Sequence, residues 1–210
     1  PVALIVRQPD LGTAILVFAA GFFVIFLAGL SWKVLALMFF GGLASLPFAW
    51  TLLHDYQRHR ILTLIDPEAD PLGKGFHIIQ STIAVGSGGI LGKGWGNGTQ
   101  THLEFIPERH TDFIFAVIAE EWGFLRACCV LLLYIVFITC GIGIARSTRE
   151  PCGRLIVVGL VTMFATQIVV NICMTLGIAP IVGITLPFIS YGGSSLLTSF
   201  IALSIIFNVK

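Results

Sequence analysis

The sequence predicts an all-α fold: a polytopic helical membrane protein with about five complete spans and one long, ordered extracytoplasmic loop. Three observations carry that expectation. Of 210 residues, 56% are hydrophobic and 11% charged, against roughly 25% charged in ordinary soluble domains, and the mean hydropathy is +0.95. The apolar residues fall in runs close to the ~20 residues that a helix needs to cross about 30 Å of hydrocarbon. The runs also lack the alternation of barrel strands, and lipid satisfies no backbone N–H or C=O, so helix is the remaining choice.

The expected spans lie at about 13–30, 33–53, 113–145, 155–177 and 192–208 of a single membrane domain, 1–210, with no second domain and no convincing internal repeat. The run at 113–145 exceeds one bilayer thickness, so its first turns are expected to project above the membrane or to line a cavity. Residues 1–7 read as the tail of an earlier span. Pro1 opens inside an apolar stretch with no initiator Met and no cleavage site, so the chain reads as a piece of a longer polypeptide. Cys128, Cys129, Cys140, Cys152 and Cys173 show no CxxC spacing and an odd count, which supports neither a disulfide framework nor a zinc site.

Orientation follows from the cations of the short connections. Lys33, then Arg146, Arg149 and Arg154, then Lys210 all fall on one side when the spans alternate, and that side is expected to be cytoplasmic. The segment of about 54–112 then lies outside, in the periplasm. It is far longer than the ~15 residues beyond which a loop is usually functional or disordered, and it is not low-complexity. Turn signals at Asp66-Pro67 and Asp70-Pro71 precede a helix near 76–85, with Phe76, Ile79 and Ile83 on one face. A glycine-dense stretch runs from Gly86 to Gly98, and a charged stretch from Leu103 to Asp112 ends the loop.

Several constellations invite a chemical reading. Gly92-Lys93 evokes a phosphate loop, but Ser87 replaces the first glycine of that pattern and Gly94 its Ser/Thr. A flexible or tightly turned loop is the plainer reading; close approach to an anionic ligand, with Lys93 nearby, is the alternative. Thr111-Asp112 sits where the loop enters an apolar helix, a position where oxygen side chains commonly satisfy free N–H groups. Glu104, Glu108, Arg109 and His110 crowd the same ten residues, however, and ionisable groups in spans usually face cavities. At 100° per residue Asp112, Ala116, Ala119, Glu120 and Gly123 share one side of that helix, whereas Glu121 points elsewhere. Asp10 stands at the outer mouth of the first complete span, where capping is again the plain role. Leu186 to Ser195 reads as a turn packed against neighbours. His54, His59, His77 and His102 show no metal spacing.

Taken together, Gln8-Pro9-Asp10-Leu11-Gly12-Thr13, Asp66-Pro67, Asp70-Pro71-Leu72-Gly73, Gln80-Ser81, Phe105 through Phe115 and Pro187-Phe188-Ile189-Ser190-Tyr191-Gly192-Gly193-Ser194-Ser195 resemble the motifs of the SEDS family (shape, elongation, division and sporulation), in family order and over the whole chain. Glu108-Arg109-His110-Thr111-Asp112 favours its elongation branch. The family has about ten spans, so the resemblance makes this chain its C-terminal half, set in the bacterial inner membrane. It implies a peptidoglycan glycosyltransferase that polymerises lipid II from undecaprenyl-diphosphate-linked donors, working in cell-wall and cell-shape biogenesis. It makes Asp112 the essential acid, proposed as general base. Expected substrate contacts are Glu104, Glu108, Arg109, His110, Thr111, Lys93, Gln80, Ser81, Asp10, Ser190, Tyr191, Gly192 and Gly193. Arg109 and Lys93 are the candidates for the diphosphate, with a divalent cation (Mg2+ or Mn2+) as a further expectation. Arg58 and Arg60 are set either there or on lipid headgroups. The implied partner is a class B penicillin-binding protein, the crosslinking transpeptidase; no nucleic-acid partner is expected. A transporter of lipid II or another lipid-linked substrate is the alternative of a different class, and a scaffold for a partner enzyme is a third.

Overall fold

A computed structural model of the chain describes residues 2–8, 10–52, 58–59, 62–64, 66–67, 73–99 and 110–209. Among these residues seven helices follow one another: α1 (Val2–Arg7), α2 (Leu11–Leu27), α3 (Trp32–Leu52), α4 (Lys74–Ser87), α5 (Ile114–Ser147), α6 (Pro151–Thr175) and α7 (Gly193–Asn208). No strand occurs among the described residues. Among the described residues two helices, α5 with 34 residues and α6 with 25, are long and apolar enough to cross a membrane. Gly12–Leu27, Trp32–Ala44 and Gly193–Asn208 form shorter apolar stretches. The outward faces are apolar, as at Phe18, Leu133 and Phe200, which suits a lipid surround better than water.

Local sequence explains where the helices start and stop. Asp10 caps α2: its Oδ1 accepts the Thr13 backbone N–H at 3.0 Å and its Oδ2 the Thr13 hydroxyl at 2.6 Å. Gly29 follows α2 in the left-handed region, φ 112°, ending it as glycine commonly does. Pro151 opens α6 at its first position, where a missing N–H costs nothing.

Close contacts fix the directions of the helices. A side chain at Gly12 would meet the Val182 carbonyl at 2.8 Å, and one at Gly159 would meet Val24 at 3.1 Å, so α2 runs antiparallel to α6. Val209 lies against Gly153, which sets the end of α7 beside the start of α6. One end of the bundle therefore gathers Lys33, Arg146, Arg149 and Arg154. The opposite end gathers Asp10, Asp112, the close of α6, the 177–192 segment and the start of α7. Between them lies a core of Ala145, Val157, Val161, Phe164, Ala202 and Ile206.

Helix α4 extends the expected 76–85 segment to 74–87. Its inward face is made mostly of small residues: Ser81, Ala84 and Gly88 are buried with Ile78, while Ile83 is exposed. Ala84 and Gly88 let its backbone approach α5 at Ala116 and Ala119, both buried, the small-residue packing by which membrane helices gain dispersion contact. A Cβ on Gly88 would collide with the Ala119 carbonyl.

Helix α5 is interrupted at Gly123, whose φ of 79° and ψ of 176° no residue with a side chain adopts comfortably. Such a break strips backbone groups of their helical partners, and the glycine-rich segment replaces them. Lys93 N–H donates to the Glu120 carbonyl (3.1 Å) and Gly94 N–H to the Glu121 carbonyl (3.0 Å). In return Phe124 N–H donates to the Gly89 carbonyl (2.8 Å) and Leu125 N–H to the Ile90 carbonyl (3.2 Å). Side chains at Gly92 and Gly123 would each fall on the other's backbone. The glycines at these two positions are thus needed for backbone-to-backbone contact, the plainer of the two readings offered by sequence. Glu121 is buried as well as Glu120.

Gly123→Val is expected to lower the unfolding free energy of the full-length protein by about 2–5 kcal/mol, from the forbidden backbone angle and the overpacked contact together. Gly86→Ala, with open space around its Cβ position, should change it by less than about 1 kcal/mol. Thermal unfolding in detergent measures both.

Candidate active site at one end of the bundle

The chain enters α5 through a clamp. Three consecutive carbonyls, those of His110, Thr111 and Asp112, are each held by a different donor. Tyr191 N–H donates to the His110 carbonyl at 2.8 Å, the Ser190 hydroxyl to the Thr111 carbonyl at 2.6 Å, and the Asn171 side-chain amide to the Asp112 carbonyl at 2.8 Å. The same Asn171 amide donates to the Ile184 carbonyl at 2.6 Å, and Ser190 Oγ accepts the Leu186 N–H at 2.7 Å. The two motifs that precede α5 and α7, about 75 residues apart in sequence, are thereby joined at the backbone.

The segment that makes this possible has its own supports. Tyr134, buried in α5, donates its hydroxyl to the Pro187 carbonyl at 2.6 Å. Phe188 takes a positive φ of 64°, a costly conformation for an aromatic residue. Its ring is held between Phe137, Phe164 and Phe200, with centroids 5.6 to 5.7 Å away. Thr185 and Ser195 share a hydrogen bond of 3.1 Å. The turn expected at Leu186 to Ser195 is therefore rigid rather than merely small.

Asp112 is half-buried at this end. Its carboxylate passes over Gly183, whose absent Cβ would stand 3.5 Å from Oδ2. Gly183 has φ 75°, and the missing side chain leaves that flank of the carboxylate open. The N-cap position of α5 falls on Phe113, which supplies no side-chain cap. Across Gly183, the neighbouring Val182 and Ile184 pack on Gly12 at the start of α2, so Asp10 and Asp112 flank one segment. Tyr191 is 80% exposed at the rim, with Gly192 and Gly193 beside it at the start of α7.

The remaining expected contacts lie further from Asp112. Lys93 reaches back to Glu120: Nζ donates to Oε1 at 2.8 Å, and Thr99 joins both groups, at 2.8 Å to Nζ and 3.1 Å to Oε1. Glu120 is fully buried, whereas the Lys93 side chain is 26% exposed. Ser81 donates to the Thr175 carbonyl at 3.1 Å and so ties α4 to the end of α6. Gln80 carries a buried Oε1 with no partner among the described residues. Arg58 is half-buried. Glu104, Glu108, Arg109 and Arg60 lie outside the described residues. Among those described, no three His, Cys, Asp or Glu side chains converge as a metal site.

Asn171 and Tyr134 are the functional residues that sequence reading passed over. Each is a lone polar group inside an apolar helix, and such groups in lipid commonly join helices or serve function. That signal was available; the partners were not, because both are backbone carbonyls distant in sequence.

These features define a class first: a helical protein with long apolar helices and a clamped, half-buried carboxylate at one end of the bundle. Its sequence matches the FtsW/RodA/SpoVE cell cycle protein family over residues 1–210, and the chain belongs to that family. Among curated relatives it is 50% identical over 210 residues to the peptidoglycan glycosyltransferase MrdB of Escherichia coli (strain K12), covering 100% of this chain and 57% of that protein. It is 41% identical over 208 residues to stage V sporulation protein E of Bacillus subtilis (strain 168), covering 99% of this chain and 56% of that one. In three dimensions it resembles a chain of a peptidoglycan synthase complex that coordinates polymerization and crosslinking, with TM-score 0.81 and 40% identity over 99% of this chain and 57% of that chain. It also resembles a mutant of the rod shape determining protein RodA of Thermus thermophilus, with TM-score 0.62 and 31% identity over 98% of this chain and 51% of that one. The chain thus spans little more than half the length of the relatives it matches.

The Lys93–Glu120 pair yields a prediction. Lys93→Met leaves a buried carboxylate without its cation and should cost about 3–5 kcal/mol. Lys93→Met combined with Glu120→Leu should recover most of that loss, since an apolar replacement of both partners is often neutral or better. A double-mutant cycle on unfolding midpoints of the full-length protein checks it.

Proposed function

We propose that this chain forms the C-terminal, catalytic part of a peptidoglycan glycosyltransferase that polymerises lipid II into glycan strands, and that Asp112 is its general base. The observation that carries the reading is the triple backbone clamp at 110–112, which holds one half-buried carboxylate in place beside an open flank at Gly183. Similarity to MrdB supports the activity.

In this reading all five apolar helices span the inner membrane, and 54–112 is periplasmic. Lys33, Arg146, Arg149 and Arg154 gather at the end opposite Asp112, which the distribution of cations in membrane proteins assigns to the cytoplasm. Asp112 then meets the headgroup region, where the sugars of a lipid-linked substrate lie while its chain stays in the bilayer. The acceptor 4-hydroxyl attacks the anomeric carbon of the strand linked to undecaprenyl diphosphate. A C–O bond forms, the bond to the diphosphate breaks with inversion, and the hydroxyl proton passes to Asp112. Positioned base catalysis contributes typically 10²–10⁴-fold. The leaving diphosphate needs positive charge, for which Arg109 is the candidate. Lys93, bound to Glu120, acts by holding the loop unless substrate draws it away. A Mg2+ or Mn2+ ion, if required, would arrive with the diphosphate, since Mg2+ commonly binds substrate phosphates plus one or two carboxylates, and no step here is routed through it. The transpeptidase partner is a class B penicillin-binding protein, a reading supported by the similar chain of a peptidoglycan synthase complex.

The transporter alternative has less support. Transporter sites usually sit near the bilayer midplane between broken helices, whereas the polar candidates here gather at one end of the bundle.

The test is polymerisation of lipid II by purified full-length protein with its transpeptidase partner. Asp112→Asn should reduce the rate by more than about 100-fold, with lipid II binding retained. Ser190→Ala, which frees the Thr111 carbonyl but leaves the carboxylate, should reduce it by about tenfold. Long glycan strands from the Asn variant would refute the proposed chemistry.

A further inference from the structure

A groove of about 930 Å3 opens at the end of the bundle opposite Asp112, between α2, α5 and α6. Its walls include Leu27, Ile142, Val158 and Val169, and its mouth is formed by Arg146 in the last turn of α5 and Arg154 in the first turn of α6. The volume lies within the roughly 300–1,000 Å3 of ordinary ligand sites. Thr162 and Thr166 also line it, but the Thr166 hydroxyl is turned onto the Thr162 carbonyl of its own helix at 2.8 Å. The wall therefore presents little for a polar ligand to bond. From Arg154 to Val170 the wall follows 16 residues of α6, about 24 Å of helix at 1.5 Å per residue. That is deeper than half of a ~30 Å hydrocarbon core, so a whole acyl chain fits along it.

The mouth is strongly cationic. Arg146 and Arg154 are both exposed, and neither has an ion-pair partner among the described residues. The other charged groups at this end are Lys33, Arg149 and Glu150, so a single described carboxylate faces four cations. Two guanidiniums above an apolar trough are complementary to a phosphodiester carried on acyl chains, and basic pockets between helices at the cytoplasmic side commonly hold anionic headgroups.

We propose that this groove is a binding site for an anionic phospholipid of the adjoining leaflet: Arg146 and Arg154 grip its phosphate and the walls of α2, α5 and α6 take its acyl chains. The site is separate from the Asp112 end and does not depend on the polymerase reading. Its ligand is a structural lipid, not the lipid-linked sugar.

The experiment uses the full-length protein in nanodiscs containing phosphatidylcholine with graded phosphatidylglycerol, followed by native mass spectrometry of retained lipid. The wild type should retain phosphatidylglycerol in preference to phosphatidylcholine. Arg146→Gln with Arg154→Gln should weaken that retention roughly ten- to thirtyfold, whereas Arg149→Gln, outside the groove, should leave it near the wild-type value. Ala165→Trp, which fills the trough and keeps both arginines, should weaken it as well, and serves if the double variant fails to fold. The proposal is overturned if both lipids are held equally, if Ala165→Trp holds phosphatidylglycerol like the wild type, if undecaprenyl phosphate displaces it at far lower concentration, or if a cysteine at Ile142 crosslinks to a helix preceding residue 1 that already fills the groove.

Discussion

Three donors on the carbonyls of His110, Thr111 and Asp112 set the geometry of everything at the polar end of this protein. A carbonyl run that leads into a helix has no intrahelical obligation of its own, and in a low-dielectric surround each unpaired group costs several kcal/mol. The donors that satisfy it come from two other places, Asn171 on α6 and Ser190-Tyr191 before α7. Because Asn171 also holds Ile184 and Ser190 also holds Leu186, the entry to α5 and the approach to α7 share the same two side chains. Neither segment can move without stranding polar groups of the other. A carboxylate placed on such a segment inherits a position fixed by backbone bonds, which varies less than one fixed by side-chain packing alone.

The second constraint lies one helical stretch further along α5. The break at Gly123 would be expensive on its own, yet the loop 88–94 answers each freed group with one of its own. What composition suggests is a flexible glycine-rich linker is therefore an ordered plug, and Lys93 anchors it to the buried Glu120 carboxylate. The two constraints are joined by the nine-residue stretch of α5 that runs from Ile114 to Trp122. That stretch also receives the small-residue face of α4, so loop, helix and clamp form one body around the carboxylate.

Much of this was legible in the sequence, and the illegible part has a common cause. Apolar run length predicted helices at the places of α2, α3, α5, α6 and α7, because a span must satisfy its own backbone and sequence length records that demand directly. Helix α4 was visible from its periodicity, but its buried face was not: Phe76, Ile79 and Ile83 catch the eye, whereas Ser81, Ala84 and Gly88 do the packing. The side of α5 bearing Asp112, Ala116, Ala119, Glu120 and Gly123 was also visible, and the buried members of that set are confirmed in place. What periodicity could not supply was the break at Gly123, which ends the simple 100° count. Nor could it supply the roles of Asn171 and Tyr134, since each donates to a backbone carbonyl and backbone partners leave no trace in residue type.

The charges of the chain divide between two ends for physical reasons that complement each other. At one end Arg146 and Arg154 are exposed, without an ion-pair partner among the described residues and set on regular helix termini, where solvation by water or lipid phosphate is enough. At the other, several polar groups, the fully enclosed Glu120 among them, are answered by the protein: Asp10 by Thr13, Glu120 by Lys93 and Thr99, the 110–112 carbonyls by their three donors. Enclosure is what a preorganised site requires, because reorganising dipoles during a reaction raises its barrier. A bundle that needed only to span the bilayer would gain nothing from a helix break, a strained Phe188 and a plug of glycines placed together. Those costs sit in the segments that lead into and along α5 and α7, and the rest of the fold is plain apolar helix that holds the ends in place.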